Sequence, residues 1–175
     1  MIFCMLKMKI EIHKGKYGPD AIAIMNIYAD TSVFGGVFDT EFSDASKQFF
    51  KEIDSGRFIL VTSAVVAAEI DPAPEHIREF FAKYADHGTI AEVSNEALDL
   101  QSKYIDAGVV TKKSLNDALH VAIATVSSCD LIVSWNFKHI VHFDKIPKYN
   151  AVNILNDYQS IGIYSPLEVI DYDNS

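Results

Sequence analysis

The chain has little in it that would staple or thread it. Two cysteines in 175 residues, Cys4 and Cys129, have no second Cys or His at zinc-finger spacing. That excludes a disulfide scaffold and a structural zinc site, and favours a reducing compartment. Eight glycines and five prolines, with no internal repeat and no low-complexity linker, exclude a fibrous or disordered chain. Positive charge is also scarce, because 15 Lys and Arg face 24 Asp and Glu for a net charge of −9. Residues 1–25 hold Lys7, Lys9, Lys14 and Lys16 against Glu11 and Asp20, which leaves −11 on the remainder. A nucleic-acid binder that works through overall charge is therefore excluded, since polyanion binding needs cations to neutralise phosphates, and any such role must use a local patch. Long apolar runs are missing too: Met1 to Leu6 breaks at Lys7, too short for a signal-peptide core or a membrane span. A soluble, cytoplasmic protein is expected, with no membrane partner.

What is present suits one domain of ordinary size, with 49% apolar and 22% charged residues. Residues 1–24 lack periodicity and read as an N-terminal extension, so the folding unit is expected to run over 25–175 and truncation to Met25 to leave folding intact. From there strands and helices alternate. Asn26–Ala29, Phe58–Thr62, Thr89–Glu92, Leu131–Ser134 and Ile161–Tyr164 read as short strands. Ser43, Ser63, Ser94 and Ser114 read as helix N-caps, Pro74 and Pro147 as helix starts, and Gly56 and Gly108 as stops. Strands apolar on both faces, separated by helices, predict an α/β class: a three-layer α/β/α sandwich around a central parallel sheet of four to five strands.

Ligand sites in open parallel sheets lie beyond the carboxyl ends of the strands. The polar residues expected there are Asp30-Thr31-Ser32, Glu69, Asp117 and Ser134-Trp135-Asn136. Three carboxylates without matching cations repel one another, and a hard divalent ion such as Mg²⁺, which takes oxygen ligands and keeps several waters, is the usual remedy. Such an ion suits in-line phosphodiester hydrolysis. His120, three residues after Asp117, is placed on the same helix face, as a residue behind the site rather than a base. Lys112, Lys113 and Lys138, with His139, His142, Lys145 and Lys148, form a local basic cluster opposed only by Asp144 near its end. His139 and His142 have no third ligand nearby for zinc, and Trp135 reads as a packing residue.

The chain from about Met25 onward resembles a PIN-domain ribonuclease, in particular a VapC-type toxin of type II toxin–antitoxin systems. The resemblance rests on Ile-Tyr-Ala-Asp-Thr-Ser-Val (Ile27 to Val33), Ala-Glu-Ile around Glu69, Asn-Asp-Ala-Leu-His-Val-Ala (Asn116 to Ala122) and Val-Ser-Trp-Asn-Phe-Lys-His-Ile (Val133 to Ile140), with spacings of 39, 48 and 19 between residues 30, 69, 117 and 136. It implies a Mg²⁺- or Mn²⁺-dependent endoribonuclease whose metal site uses Asp30, Glu69 and Asp117, with Asn136 completing the catalytic set from the outer shell. Thr31 and Ser32 would lie beside the metal or its waters, and Lys112, Lys113 and Lys138 would grip RNA phosphates. It further implies a homodimer and a cognate antitoxin partner. Many PIN domains carry a fourth acid where this chain has Asn136, so one tight metal site is expected. The alternative is a PIN-like module without useful catalysis that binds RNA or an antitoxin. A haloacid-dehalogenase-type phosphatase fits less well, because the position two after Asp30 is Ser32 rather than an acid, and so does a receiver domain, which expects a paired acid ahead of the phosphorylated one and a Lys after a late strand.

Overall fold

The computed structural model describes residues 24–171, so the N-terminal segment read as an extension lies, apart from Ile24, outside the described residues. Five strands form one sheet: β1 (Met25–Ala29), β2 (Phe58–Ser63), β3 (Thr89–Ala91), β4 (Leu131–Val133) and β5 (Gly162–Tyr164). Every pairing is parallel and the order is β3-β2-β1-β4-β5. Ile27, Tyr28 and Ala29 of the central strand are fully buried, as an apolar strand covered on both faces must be. The helices are α1 (Thr31–Gly36), α2 (Ser43–Asp54), α3 (Ala64–Ile70), α4 (Glu75–Ala85), α5 (Asn95–Asp106), α6 (Leu115–Val126), α7 (Ile146–Leu155) and α8 (Pro166–Val169). Helices α1–α4 and α8 pack among themselves, as do α5–α7, which gives the expected two outer layers. None of the helices among the described residues is long and apolar enough to cross a membrane.

The predicted strands are all present; several helix boundaries differ. Ser63 and Ser94 cap α3 and α5 by accepting from the Val66 and Ala97 N–H groups. Gly56 and Gly108 follow α2 and α5 with φ of +79° and +68°, the left-handed backbone that makes them good stops. Ser43 is not a cap: Phe42 occupies that position and Ser43 begins the helix. Nor does the Ser114 side chain cap α6, because a 3₁₀ turn over Lys112–Ser114 leads the chain directly into it. Helix α1 was not foreseen at all. Its cap is Asp30, whose carboxylate accepts from the Ser32 N–H, so the residue expected to end a strand also starts a helix.

Gly36 closes α1 against its neighbours. A Cβ there would lie 2.6 Å from Ser46 Oγ and 2.7 Å from Trp135 Nε1, two atoms already hydrogen-bonded to each other at 2.9 Å. Trp135 is further pinned by stacking on Phe42, with ring centroids 4.4 Å apart, so it has little room to retreat. Gly36→Ala is expected to cost about 1–3 kcal/mol through overpacking. The check is a lower urea midpoint with an unchanged slope.

The sheet order reverses direction between β1 and β4. Chain connections leave β1 toward β2 and β3 on one side and reach β4 and β5 on the other. This reversal opens a crevice at the strands' carboxyl ends, the usual ligand position in such sheets. Asp30 follows β1 and Ser134-Trp135-Asn136 follows β4, so both segments stand at that crevice.

Candidate active site

Asp30 is 4% exposed, and both its carboxylate oxygens accept hydrogen bonds. Ser32 donates to Oδ1 from its hydroxyl at 2.5 Å and its N–H at 3.1 Å, and the Ser134 hydroxyl donates to Oδ2 at 2.6 Å. Ser134 in turn accepts from the Asn136 N–H at 2.9 Å. Asn136 turns its NH₂ group onto Asp117 Oδ1 at 2.6 Å, while its carbonyl accepts from the His139 N–H at 3.0 Å. Both ends of the amide are engaged, and an acid could not make both contacts, because an ionised carboxylate only accepts. Asn136 is therefore a positioning residue for Asp117. The chain Asp30–Ser134–Asn136–Asp117 sets the two carboxylates two hydrogen-bonded residues apart.

Glu69, on α3, is held by three donors. The Thr31 hydroxyl and His120 Nε2 bond Oε2, the latter at 3.1 Å, and Asn116 Nδ2 bonds Oε1 at 2.9 Å. Since the carboxylate only accepts, Nε2 carries the hydrogen; in the neutral ring Nδ1 then accepts from the Tyr28 phenol at 2.8 Å. Tyr28 also meets the Ser63 hydroxyl at 2.7 Å. The buried imidazole, 3% exposed, thus joins the middle of β1 to the α3 carboxylate.

These surroundings push the two acids in opposite directions. Burial raises the Asp30 carboxyl above its usual range, outweighing the pull of His120 and the hydroxyl donors. The Glu69 carboxyl is lowered to about 2, chiefly by the His120 hydrogen bond, with Thr31 and Asn116 adding to it against partial burial. Glu69 is fully ionised at neutral pH and far too weak a base to take a proton there.

Apart from the lysines, the residues predicted for the site fall in two hydrogen-bonded sets, Asp30, Ser32, Asn136 and Asp117 in one and Thr31, Glu69 and His120 in the other. Among the described residues, no three His, Cys, Asp or Glu side chains stand together as a ligand set for a metal ion. Glu69 is turned onto Thr31, Asn116 and His120. The donors that remain, Asp30 and Asp117, are oxygen donors of the kind a hard divalent ion takes, and Mg²⁺ is commonly held by only one or two carboxylates with waters and substrate oxygens. Lys112, Lys113 and Lys138 are all exposed. Sequence reasoning placed Ser134 at the crevice without a role there, and missed Tyr28, Ser63 and Asn116 as parts of the site; Tyr28 and Asn116 lie inside the quoted motifs beside Asp30 and Asp117.

No protein-family profile matches the chain, and no curated protein matches it in sequence. Several solved structures are similar to it, two of which are named here. One is VapBC2 from Rickettsia felis bound to a DNA fragment from its promoter, at 15% identity and TM-score 0.49, covering 65% of this chain and 90% of that one. The other is VapC20 of Mycobacterium tuberculosis, a toxin cleaving the sarcin–ricin loop, at 14% identity and TM-score 0.46, covering 65% and 92%.

Proposed function

We propose that the protein is a divalent-metal-dependent endoribonuclease, the toxin of a type II toxin–antitoxin pair. The observation that supports this best is the hydrogen-bonded run from Asp30 through Ser134 and Asn136 to Asp117 at the sheet's reversal point. Asp30 and Asp117 would hold Mg²⁺ or Mn²⁺, which when bound neutralises charge on a phosphoryl oxygen and acidifies a coordinated water. Ser32 and Ser134 fix the Asp30 oxygens, and Asn136 fixes the Asp117 carboxylate. Glu69, permanently ionised, accepts a hydrogen bond from the attacking water and so orients it. A cytoplasmic setting, a cognate antitoxin and a second copy of the chain complete the proposal, all three on the strength of the motif resemblance. Light scattering of the purified protein, and recovery of a small protein encoded immediately upstream, test the last two.

The deciding experiment is RNA cleavage under Mg²⁺ and Mn²⁺ titration. Cleavage that saturates with metal and stops in EDTA is expected. One observation favours a second reading, a module that binds RNA or an antitoxin without cutting: among the described residues no three ligating side chains stand together. Metal-independent RNA binding with no cleavage at any metal concentration would establish that reading instead.

A further inference from the structure

His139, whose N–H bonds Asn136, also lines a cavity of about 310 Å³, at the small end of the range for ligand sites, roughly 300–1,000 Å³. Its lining runs against the acidity of the chain. Thr111, His139, His142, Lys145 and Lys148 face it, with Asp144 as the one acid in its wall. Neither Lys145 nor Lys148 is ion-paired among the described residues. His142 Nδ1 accepts from the Asp144 N–H at 3.3 Å, which leaves Nε2 as the donating nitrogen. His139 Nδ1 is buried with no hydrogen-bond partner, a rare condition in a folded chain and one that marks unused polar capacity. Lys145 also heads α7, whose first turn contains no acid, so the helix field there favours an anion.

Two further facts narrow the occupant. His139 donates its N–H to the same Asn136 side chain that holds Asp117, so the cavity and the acid network share a residue. Phe143, between cavity residues His142 and Asp144, is 90% exposed. A bare aromatic ring beside unpaired cations is the arrangement that binds single-stranded nucleic acid, with phosphates on the cations and a base on the ring. A metal ion fits poorly, since two ammonium groups oppose it and the His and Asp side chains form no ligand set.

We propose that this cavity holds a backbone phosphate of single-stranded RNA, next to the phosphate at the acids, with an adjoining base stacked on Phe143. The inference rests on the nuclease reading for its choice of substrate. It also moves the phosphate grip from Lys112, Lys113 and Lys138 to Lys145, Lys148, His142 and Thr111.

The test is binding of an unstructured RNA oligonucleotide to the full chain in EDTA, by fluorescence anisotropy across a salt series. The double variant Lys145→Ala, Lys148→Ala should flatten the slope of log affinity against log salt by about 1.4, two contacts at about 0.7 each for a single strand. Phe143→Ala should weaken binding about tenfold with the slope unchanged, Phe143→Tyr should restore it, and an abasic oligonucleotide should not distinguish the three proteins. An unchanged slope in the double variant overturns the proposal. So does an unaltered RNA affinity in Phe143→Ala, whether inorganic phosphate or polyglutamate binds instead or the substitution only disrupts a dimer seen by light scattering. Cleavage is scored separately. A chain that never cuts but shows the flattened slope keeps the cavity and loses the nuclease, whereas a double variant that binds and cuts like wild type keeps the nuclease and loses the cavity.

Discussion

Replacing Asp30 by Asn is expected to lower metal-dependent RNA cleavage at least about a hundredfold, while raising the melting temperature of the metal-free protein at pH 7. The loss follows from removing a carboxylate that would hold the metal ion against the reacting phosphate, where a single electrostatic contact is commonly worth about 10²–10³ in rate. The gain follows from burial. Asp30 has an ordinary value of 3.8 and is raised in the folded protein, so the folded chain binds this proton more tightly than the unfolded one. Its stabilising contribution is complete below pH 3.8 and is lost as pH rises through the folded value. Asn, neutral throughout, escapes that loss and can still accept from Ser32 while donating toward Ser134. The two melting curves should therefore converge below about pH 4. Saturating Mg²⁺ should raise the melting temperature of wild type, as any ligand of the folded state does, and leave the variant unmoved. Scanning calorimetry in EDTA and in Mg²⁺, alongside a cleavage assay, reads all three effects. Full cleavage by the variant would remove the metal-site role of Asp30.

His120→Ala is expected to be the most destabilising change in the site, by about 2–5 kcal/mol, with a fall in melting temperature of roughly 5–15 °C. The ring is 3% exposed, so its loss leaves a cavity. It also takes one of two partners from the buried Tyr28 phenol and one of three donors from Glu69. His120→Asn, which keeps a donor, should recover part of the loss. The acid limb carries a second signature. Glu69 is depressed from 4.5 to about 2, so its contribution is present above pH 4.5 and lost as pH falls toward 2. Without His120 the main cause of that depression is gone, and the acid transition of the variant should be shallower there than that of wild type.

The strands were legible because each is a short apolar run between polar or glycine-rich breaks. The convergence of residues 30, 69, 117 and 136 was legible because parallel sheets gather their carboxyl ends at one edge. Helix α1 was hidden because Gly35 and Gly36 argue against a helix and because an Asp that caps reads the same as an Asp that ends a strand. The orientation of Glu69 could not be read either. It depends on Tyr28 and Ser63 holding His120 from across the sheet, with 92 residues between Tyr28 and His120, a separation no local pattern records. A similar separation hid the role of Ser134, whose bond to Asp30 spans 104 residues. Spacing thus showed which acids share an edge, while donors on other strands decide which way each carboxylate faces.

The reversal of strand order has a consequence for synthesis. A growing chain that has emerged only as far as β3 can pair β1, β2 and β3, yet the other flank of β1 is vacant, and Asp117 and the serine and amide that tie it to Asp30 have not been made. Only when β4 pairs with β1 can the run from Asp30 to Asp117 close, so a chain stalled before that strand holds Asp30 and Glu69 without the partners that come from the far flank.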